Sequence, residues 1–220
     1  MTHIEAEIQS LKAEIIEMWR LVASQMKSAM VTLTNMDKVS ATDIIANEKK
    51  VNSLELRIDR SCENIFALHN PVANDLRLVL ALLKINSNLE RIGDVAASIA
   101  KFVKKSDGYD FTDLIKNTHL LEMFEEAVDL IEDVLKSFET EDSVLATTIF
   151  KRDRALNSFN KSARAFIINK IKEDPQHVEE CLSILSITRK LERSGDQSKS
   201  IAEEIIFFID AKVLKHGQKV

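Results

Sequence analysis

The chain repeats part of itself, and this repeat restricts the folds that it can adopt. At an offset of 102 residues, ten of the 22 positions in the segments 82–103 and 184–205 are identical. Both segments contain Leu-Glu-Arg-x-Gly-Asp among apolar residues that recur three and four positions apart. That spacing indicates a helix with one apolar face. The repeat therefore predicts a duplicated helical unit.

Turn-forming residues are scarce, which favours an all-α fold. The 220 residues include only four glycines and two prolines, whereas a sheet protein would need many more. Asn70-Pro71 and Asp174-Pro175 each look like an N-cap followed by proline at the first helical position. We predict two tandem three-helix bundles built from six long helices. The helices are placed at residues 3–34, 41–69, 71–105, 112–138, 142–172 and 175–213.

The boundary between the two bundles is predicted near the middle of the chain. Residues 106–110, Ser-Asp-Gly-Tyr-Asp, form the clearest linker. Earlier in each half, a weaker match at an offset of 105 aligns residues 48–52 with 153–157, so the halves differ slightly in length between their second and third helices. We assign residues 1–107 to the first three-helix repeat and 108–220 to the second.

The third and sixth predicted helices should each bury a seam of residues. The seam of the third helix consists of Leu82, Ile85, Leu89, Ile92, Ala96 and Ile99. The seam of the sixth consists of Ile184, Ile187, Leu191, Ser194, Ser198 and Ile201. Because two serines enter the second seam, the two halves should not pack identically.

Charge and composition exclude several classes of protein. A net charge of −5 argues against a nucleic-acid binder. No apolar run approaches the ~18 residues of a membrane span, and the first ten residues lack the apolar core of a secretory signal. Cys62 and Cys181 have no metal-like spacing and should be buried free thiols, as in a reducing compartment. These features predict a cytoplasmic protein.

The repeated Glu-Arg-x-Gly-Asp motif is the strongest candidate for chemistry. Residues four apart share a helix face, so Glu90 lies beside Asp94, and Glu192 beside Asp196. Like charges at this spacing repel, and more strongly where they are partly buried. An arginine, a proton or a metal cation should compensate each pair.

Two further features support a specific site. Gly93 and Gly195 occupy mid-helix positions where glycine costs about 1 kcal/mol relative to alanine, which suggests close approach by another backbone or a ligand. The second helix of each half also offers oxygen ligands that could face the motif. These residues are Glu48 and Asn52, with Glu55 three positions further on, and Asp153 and Asn157 in the second half.

An all-oxygen ligand set favours hard cations such as magnesium, manganese, calcium or iron. No histidine joins the motif, and the five histidines are expected to be structural or solvated. They are His3, His69, His119, His177 and His216. The alternative is a solvated acidic face, in which Arg91 and Arg193 simply pair with nearby acids.

The motif residues resemble the PhoU family. Residues 71–77, Pro-Val-Ala-Asn-Asp-Leu-Arg, followed by 89–94, Leu-Glu-Arg-Ile-Gly-Asp, are similar to the signature stretch of that family. The second repeat carries Leu-Glu-Arg-Ser-Gly-Asp at 191–196. The resemblance covers nearly the whole chain. It differs at 175–181, where the Asp-Leu-Arg triplet is missing and His177 stands at the position of Asp75, so the second site is expected to bind metal more weakly or to make another contact.

The resemblance implies a fold, a cofactor and a role. It implies two bundles side by side in a homodimer or larger oligomer, with iron or zinc clusters at Glu90 and Asp94 and at Glu192 and Asp196. It also implies negative regulation of the phosphate-starvation response. In that role the protein would connect the ATPase subunit of a phosphate ABC transporter with a sensor histidine kinase, and it would reach the membrane only through these partners.

Two other functions compete with a metal-binding adaptor. A ferritin-type di-metal oxidase would supply Glu-x-x-His pairs, and this chain has none. A helical scaffold, or an accessory protein of another phosphate carrier, would bind partners without metal. The sequence contains no nucleophile–base pairing and no glycine-rich phosphate loop, so we predict a protein that is not an enzyme.

Overall fold

The computed structural model describes residues 3–214, except for the side chain of Asp153. The described residues are almost entirely helical, as predicted. A 3-10 turn, Pro175–His177, precedes the last helix. The α-helices are α1 (His3–Asn35), α2 (Lys38–His69), α3 (Ala73–Lys105), α4 (Thr112–Asn117), α5 (Leu120–Thr140), α6 (Ser143–Glu173) and α7 (Val178–Asp210).

The helices form two bundles joined along α3 and α7. In the first half, α1, α2 and α3 pack against one another, and in the second half α7 packs against α5 and α6. Helix α3 also packs along α7, and α1 contacts α5. Trp19 on α1 is fully buried, and its indole N–H donates to the carbonyl of Ile131 on α5 at 3.0 Å. One continuous apolar core therefore connects the halves.

Side-chain caps fix where α2 and α6 begin. The Asp37 carboxylate accepts from the backbone N–H of Val39 and Ser40, and Asp142 plays the same part for Val144 and Leu145. Each carboxylate satisfies donors that have no partner inside the helix. Both caps lie at the tight turn between the first two long helices of a repeat.

The start of α3 differs from the prediction. Asn70 does not cap α3; it ends α2 in the left-handed conformation, with φ of 45°, and α3 begins at Ala73. Asparagine tolerates this conformation, and proline is common just after a helix end because it cannot continue the helix. At the second proline the prediction is only partly met, because Pro175 opens a 3-10 turn after Asp174, whose side chain makes no capping hydrogen bond, and α7 itself begins at Val178.

The predicted fourth helix is broken in two. Helix α4 ends at Asn117 and α5 starts at Leu120, because His119 adopts a positive φ of 54°. The Thr118 hydroxyl donates to the carbonyl of Leu114 at 2.7 Å and so satisfies the end of α4. Local hydrogen bonding of this kind competes with continuation of the helix.

The two predicted seams are buried, as expected. The six seam positions on α3 are all inaccessible to solvent. On α7, Ser194 and Ser198 are also buried, and their hydroxyls donate to the carbonyls of Lys190 and Ser194 one turn earlier. The polar part of the second seam is therefore satisfied within its own helix.

The cysteine prediction is confirmed, because Cys62 and Cys181 are buried free thiols. Burial raises the pKa of Cys62 to about 12, which keeps this thiol protonated and unreactive. None of the helices from residue 3 to residue 214 has both the length and the apolar character that crossing a bilayer requires.

Candidate metal centre

The first acidic motif lies where α3 packs on α2. Glu90 is half-buried, Asp94 is exposed, and the carboxylate of Glu55 faces them from α2. Desolvation by burial, followed by the negative charges of Asp94 and Glu55, raises the pKa of Glu90 to about 7; Arg91 opposes this shift only weakly. Three carboxylates therefore share a site that favours keeping one of them protonated or gaining a cation.

Glu55 experiences the same negative environment. Burial, and then the charges of Asp59 and Asp94, raise the pKa of its carboxyl group. Within residues 3–214, neither Glu55 nor Glu90 nor Asp94 forms an ion pair with a lysine or arginine. The compensating positive charge that the sequence predicts is therefore not supplied by a direct ion pair with a lysine or arginine of these residues.

A buried asparagine fixes the helix pair that carries the cluster. Asn86 lies one turn before Glu90 on α3 and is inaccessible to solvent. Its amide group donates to the carbonyl of Glu55 at 3.0 Å and to the carboxylate of Asp59 at 2.8 Å. Its own side-chain oxygen has no hydrogen-bond partner among the described residues. Asn86 thereby holds the acidic face of α2 against the acidic face of α3.

Gly93 allows α3 to approach its neighbours at the motif. A Cβ atom placed on Gly93 would lie 3.2 Å from Cγ1 of Val51 on α2 and 3.6 Å from Cγ2 of Val22 on α1. The sequence predicts a close approach at this position, and the approaching groups are two valine side chains. Gly195 on α7 is likewise buried.

The predicted ligands on α2 are placed differently from one another. Glu48 forms an ion pair with Lys101 of α3 at 2.9 Å. Asn52 is exposed on the surface of α2. Glu55, one turn further along α2, is the residue that approaches Glu90. Polar residues occupy positions 48, 52, 55 and 59, at spacings of four, three and four, so they share one face of α2. The same spacing could therefore have identified Asp59 as part of this face.

The second motif is less acidic than the first. Glu192 is half-buried, Asp196 is exposed and Asn157 is half-buried. The side chain of Asp153 lies outside the described residues. At an offset of 105, Glu55 and Asp59 correspond to Asn160 and Arg164.

Position 188 also differs between the repeats, because Thr188 replaces Asn86 at the offset of 102 and both side chains are uncharged. Its hydroxyl lies 3.4 Å from the side-chain oxygen of Asn160. The second repeat thus has the amide of Asn160 and the guanidinium of Arg164 at the positions where the first has two carboxylates.

A cavity of about 700 Å³ between α3 and α7 brings the two motifs together. Asp94 and Asp196 both line this cavity, whereas Glu90 and Glu192 are not among its lining residues. Its cationic lining residues are Arg91, Lys101, Lys190 and Arg193. Burial, with a smaller contribution from Lys101, lowers the pKa of Lys190. The cavity is therefore lined by both positive and negative side chains, whereas the cluster of Glu55, Glu90 and Asp94 contains only carboxylates.

Together, these features define a duplicated helical-bundle protein with an acidic motif on the central helix of each repeat. The PhoU domain matches this chain twice, over residues 15–103 and 120–205. A protein from Serratia marcescens named phosphate-specific transport system accessory protein PhoU is 31% identical over 211 residues, which cover 96% of this chain and 86% of that protein. The protein of the same name from Escherichia coli strain K12 is 28% identical over 211 residues, covering 96% and 87% of the two chains.

The fold agrees with these matches. The crystal structure of PhoU from Pseudomonas aeruginosa has a TM-score of 0.87 to this chain at 26% identity, over 96% of this chain and 100% of that one. The chain therefore belongs to the PhoU family. Its relatives are named as accessory proteins, so this is a family of non-enzymatic proteins, as the sequence predicts.

Proposed function

We propose that this chain is a cytoplasmic accessory protein of phosphate transport and a negative regulator of the phosphate-starvation response. The names of its relatives support the transport role. The family resemblance supports the finer role, that of a homodimeric adaptor between the transporter's ATPase subunit and a sensor histidine kinase. The single observation that carries a metal-dependent form of this role is the cluster of Glu55, Glu90 and Asp94, which forms no ion pair with a lysine or arginine of residues 3–214.

The cluster would serve as the principal metal site. Its ligands are carboxylates, which suit iron, manganese or magnesium, with zinc as a further candidate from the family resemblance. Glu90 and Asp94 would bind from α3 and Glu55 from α2, with Glu48 and Asn52 further along the same helix. The second site would use Glu192 and Asp196 and would be the weaker, because its neighbours include Asn160 and Arg164 in place of two acids.

Metal binding would change the surface that a partner meets. A divalent cation would displace the proton from Glu90, since a nearby positive charge favours the ionised carboxylate. It would also neutralise most of the repulsion among the three carboxylates and hold α2 and α3 in register. A partner protein would then dock on a nearly neutral face instead of an acidic one.

The direct test is metal analysis of the purified protein and of the variant E90Q/D94N. We expect the variant to lose most of its bound metal, and the matched control E125Q, which changes an exposed glutamate on α5, to retain it. Equal metal content in the variant and the control would support the competing function, a scaffold that binds its partners without metal.

The regulatory role is tested in cells that use this protein. Deleting its gene should raise expression from phosphate-starvation promoters in phosphate-rich medium, and restoring the wild-type gene should reverse this. If the metal is required, the E90Q/D94N gene will fail to restore repression although the protein accumulates normally. Unchanged expression after deletion would contradict the regulatory role itself.

A further inference from the structure

A second cluster of ligating side chains lies at the end of the first bundle, away from the acidic motifs. His3 and Glu7 are one turn apart on α1, and His69 lies in the last turn of α2. One ligand atom from each residue can be chosen so that all three atoms lie within 4.8 Å of one another. Along α2, His69 is 14 residues from Glu55, which corresponds to about 21 Å.

We propose that His3, Glu7 and His69 form a binding site for a zinc-type transition-metal ion. Two imidazoles and one carboxylate are a common zinc ligand set, and they leave a fourth position for water or for a ligand from outside the chain. Imidazole nitrogen ligands distinguish this site from the all-oxygen motifs, because they favour zinc, copper or nickel over magnesium and calcium.

In the described part of the chain, these three side chains interact mainly with one another. The only ion pair that Glu7 forms within residues 3–214 is with His3, at 3.9 Å, which is too long for a hydrogen bond. The rings of His3 and His69 lie face to face, with centroids 5.1 Å apart and an interplanar angle of 27°. Stacking keeps the two imidazoles together although they come from different helices.

The geometry needs only a small adjustment to admit the ion. Zinc–ligand bonds of about 2.0–2.2 Å place two tetrahedral ligand atoms about 3.4 Å apart. The present separation of up to 4.8 Å therefore has to shorten by up to about 1.4 Å. The His3 side chain is 78% exposed and can rotate freely to make this change, whereas His69 is half-buried against the bundle.

An ion at this site would clamp α1 to α2. The two helices run antiparallel, so the start of α1 meets the end of α2, where packing is least extensive and helix ends fray. Binding to the folded state alone would raise the stability of this end of the bundle with increasing metal concentration.

The test is a calorimetric titration of tag-free, full-length protein with Zn²⁺. We expect the variant H3A/H69A to lose one zinc equivalent, or to bind it at least about ten-fold more weakly. The control variant H119N removes a histidine that contacts Glu122 and Phe159 instead, and it should bind like the wild type. Asparagine suits the positive φ of His119.

A second measurement locates the bound ion. Addition of Zn²⁺ should shift the imidazole NMR signals of His3 and His69, and should raise the thermal midpoint of the wild type by at least about 2 °C. These effects should persist in E90Q/D94N, so they can be separated from binding at the acidic motif. Zinc binding that leaves the His3 and His69 signals unchanged, or that is equal in H3A/H69A and the wild type, would overturn the proposal.

Discussion

The fold strongly alters the acid–base chemistry of Glu90. Its pKa of about 7 lies well above the ordinary glutamate value because burial and two neighbouring carboxylates oppose its charge. The folded protein therefore holds a proton on Glu90 over a pH range in which the unfolded chain has already released it. Stability that depends on this proton is fully present below about pH 4.5 and is lost as the pH rises through about 7.

This difference predicts a measurable pH dependence in metal-free protein. In the presence of EDTA, the contribution of Glu90 to the free energy of unfolding should fall by on the order of 1 kcal/mol between pH 5 and pH 8, a value reduced for screening by solvent. The variant E90Q should lack this component and be more stable than the wild type at pH 8. Urea denaturation at the two pH values measures both effects.

The comparison requires E125Q as a control, because Glu125 is an exposed glutamate on α5, outside the cluster, and its removal should leave this component of the pH profile unchanged. An E90Q profile that is parallel to the wild type would show that Glu90 is ionised normally in the folded chain.

Gln25 on α1 is a buried polar side chain whose hydrogen-bonding groups are not satisfied by the described residues. It is only 3% exposed, and neither its amide nitrogen nor its amide oxygen has a hydrogen-bond partner among the described residues. An unsatisfied buried amide costs about 1–3 kcal/mol, whereas methionine has a similar volume and no such requirement. We therefore expect Q25M to raise the free energy of unfolding by about 1 kcal/mol, measured by urea denaturation. A destabilised variant would indicate that water satisfies this amide.

At the scale of helices, the contact of α3 with α1 and α2 depends on Gly93. A valine at this position would force its side chain between Val22 and Val51, which are both fully or almost fully buried and have stiff side chains. We expect G93V to destabilise the protein by about 1–3 kcal/mol.

Shortening one neighbour should relieve that strain. In the V51A background, G93V should cost less than it does in the wild type, and the double-mutant cycle measures the coupling between the two positions. Additive effects of the two changes would place the cost of G93V in the helix backbone and not in this contact.

The sequence predicted helices better than it predicted their ends. Strong periodicity over many residues identified every long helix, and the seam from Leu82 to Ile99 is buried as expected. The break at His119 was missed because its cause is local hydrogen bonding by Thr118, and this leaves the apolar pattern uninterrupted. Asn70 was misassigned because asparagine suits both a helix start and a left-handed helix end.

At the scale of the whole molecule, a charged pair connects the two central helices. Lys84 on α3 donates to both carboxylate oxygens of Glu204 on α7, at 2.9 and 3.0 Å. Glu204 is 7% exposed, so its charge depends on this lysine. K84M should therefore destabilise the protein by about 2 kcal/mol, because it leaves a buried charge without a partner.

The second change E204M should recover most of the stability that K84M removes, since it eliminates the buried carboxylate that K84M leaves without a partner. K104M, at an exposed lysine on α3, is the matched control. Chemical denaturation followed by far-ultraviolet circular dichroism measures all four proteins. A K84M variant as stable as its control would mean that water reaches Glu204.

The way the two halves pack against each other could not be predicted from the sequence. The internal repeat made each half and its acidic motif recognisable, because the same pattern occurs in both halves of the sequence. The contact of Lys84 with Glu204, which joins the halves, pairs residues that the repeat does not preserve, since Ser186 and Phe102 stand at the equivalent positions. The approach of Glu55 to Glu90 could be predicted only in part, since helix periodicity gives the face of α2 but not its register against α3.

Because α3 and α7 lie side by side within one polypeptide, the protein is equivalent to a dimer whose subunits have been fused. In a true dimer, each substitution appears in both subunits and must suit both. Here the second repeat could acquire Arg164 at the position that Asp59 occupies in the first repeat. Covalent linkage therefore leaves one half free to specialise, and a single chain can present two unlike faces to two unlike partners.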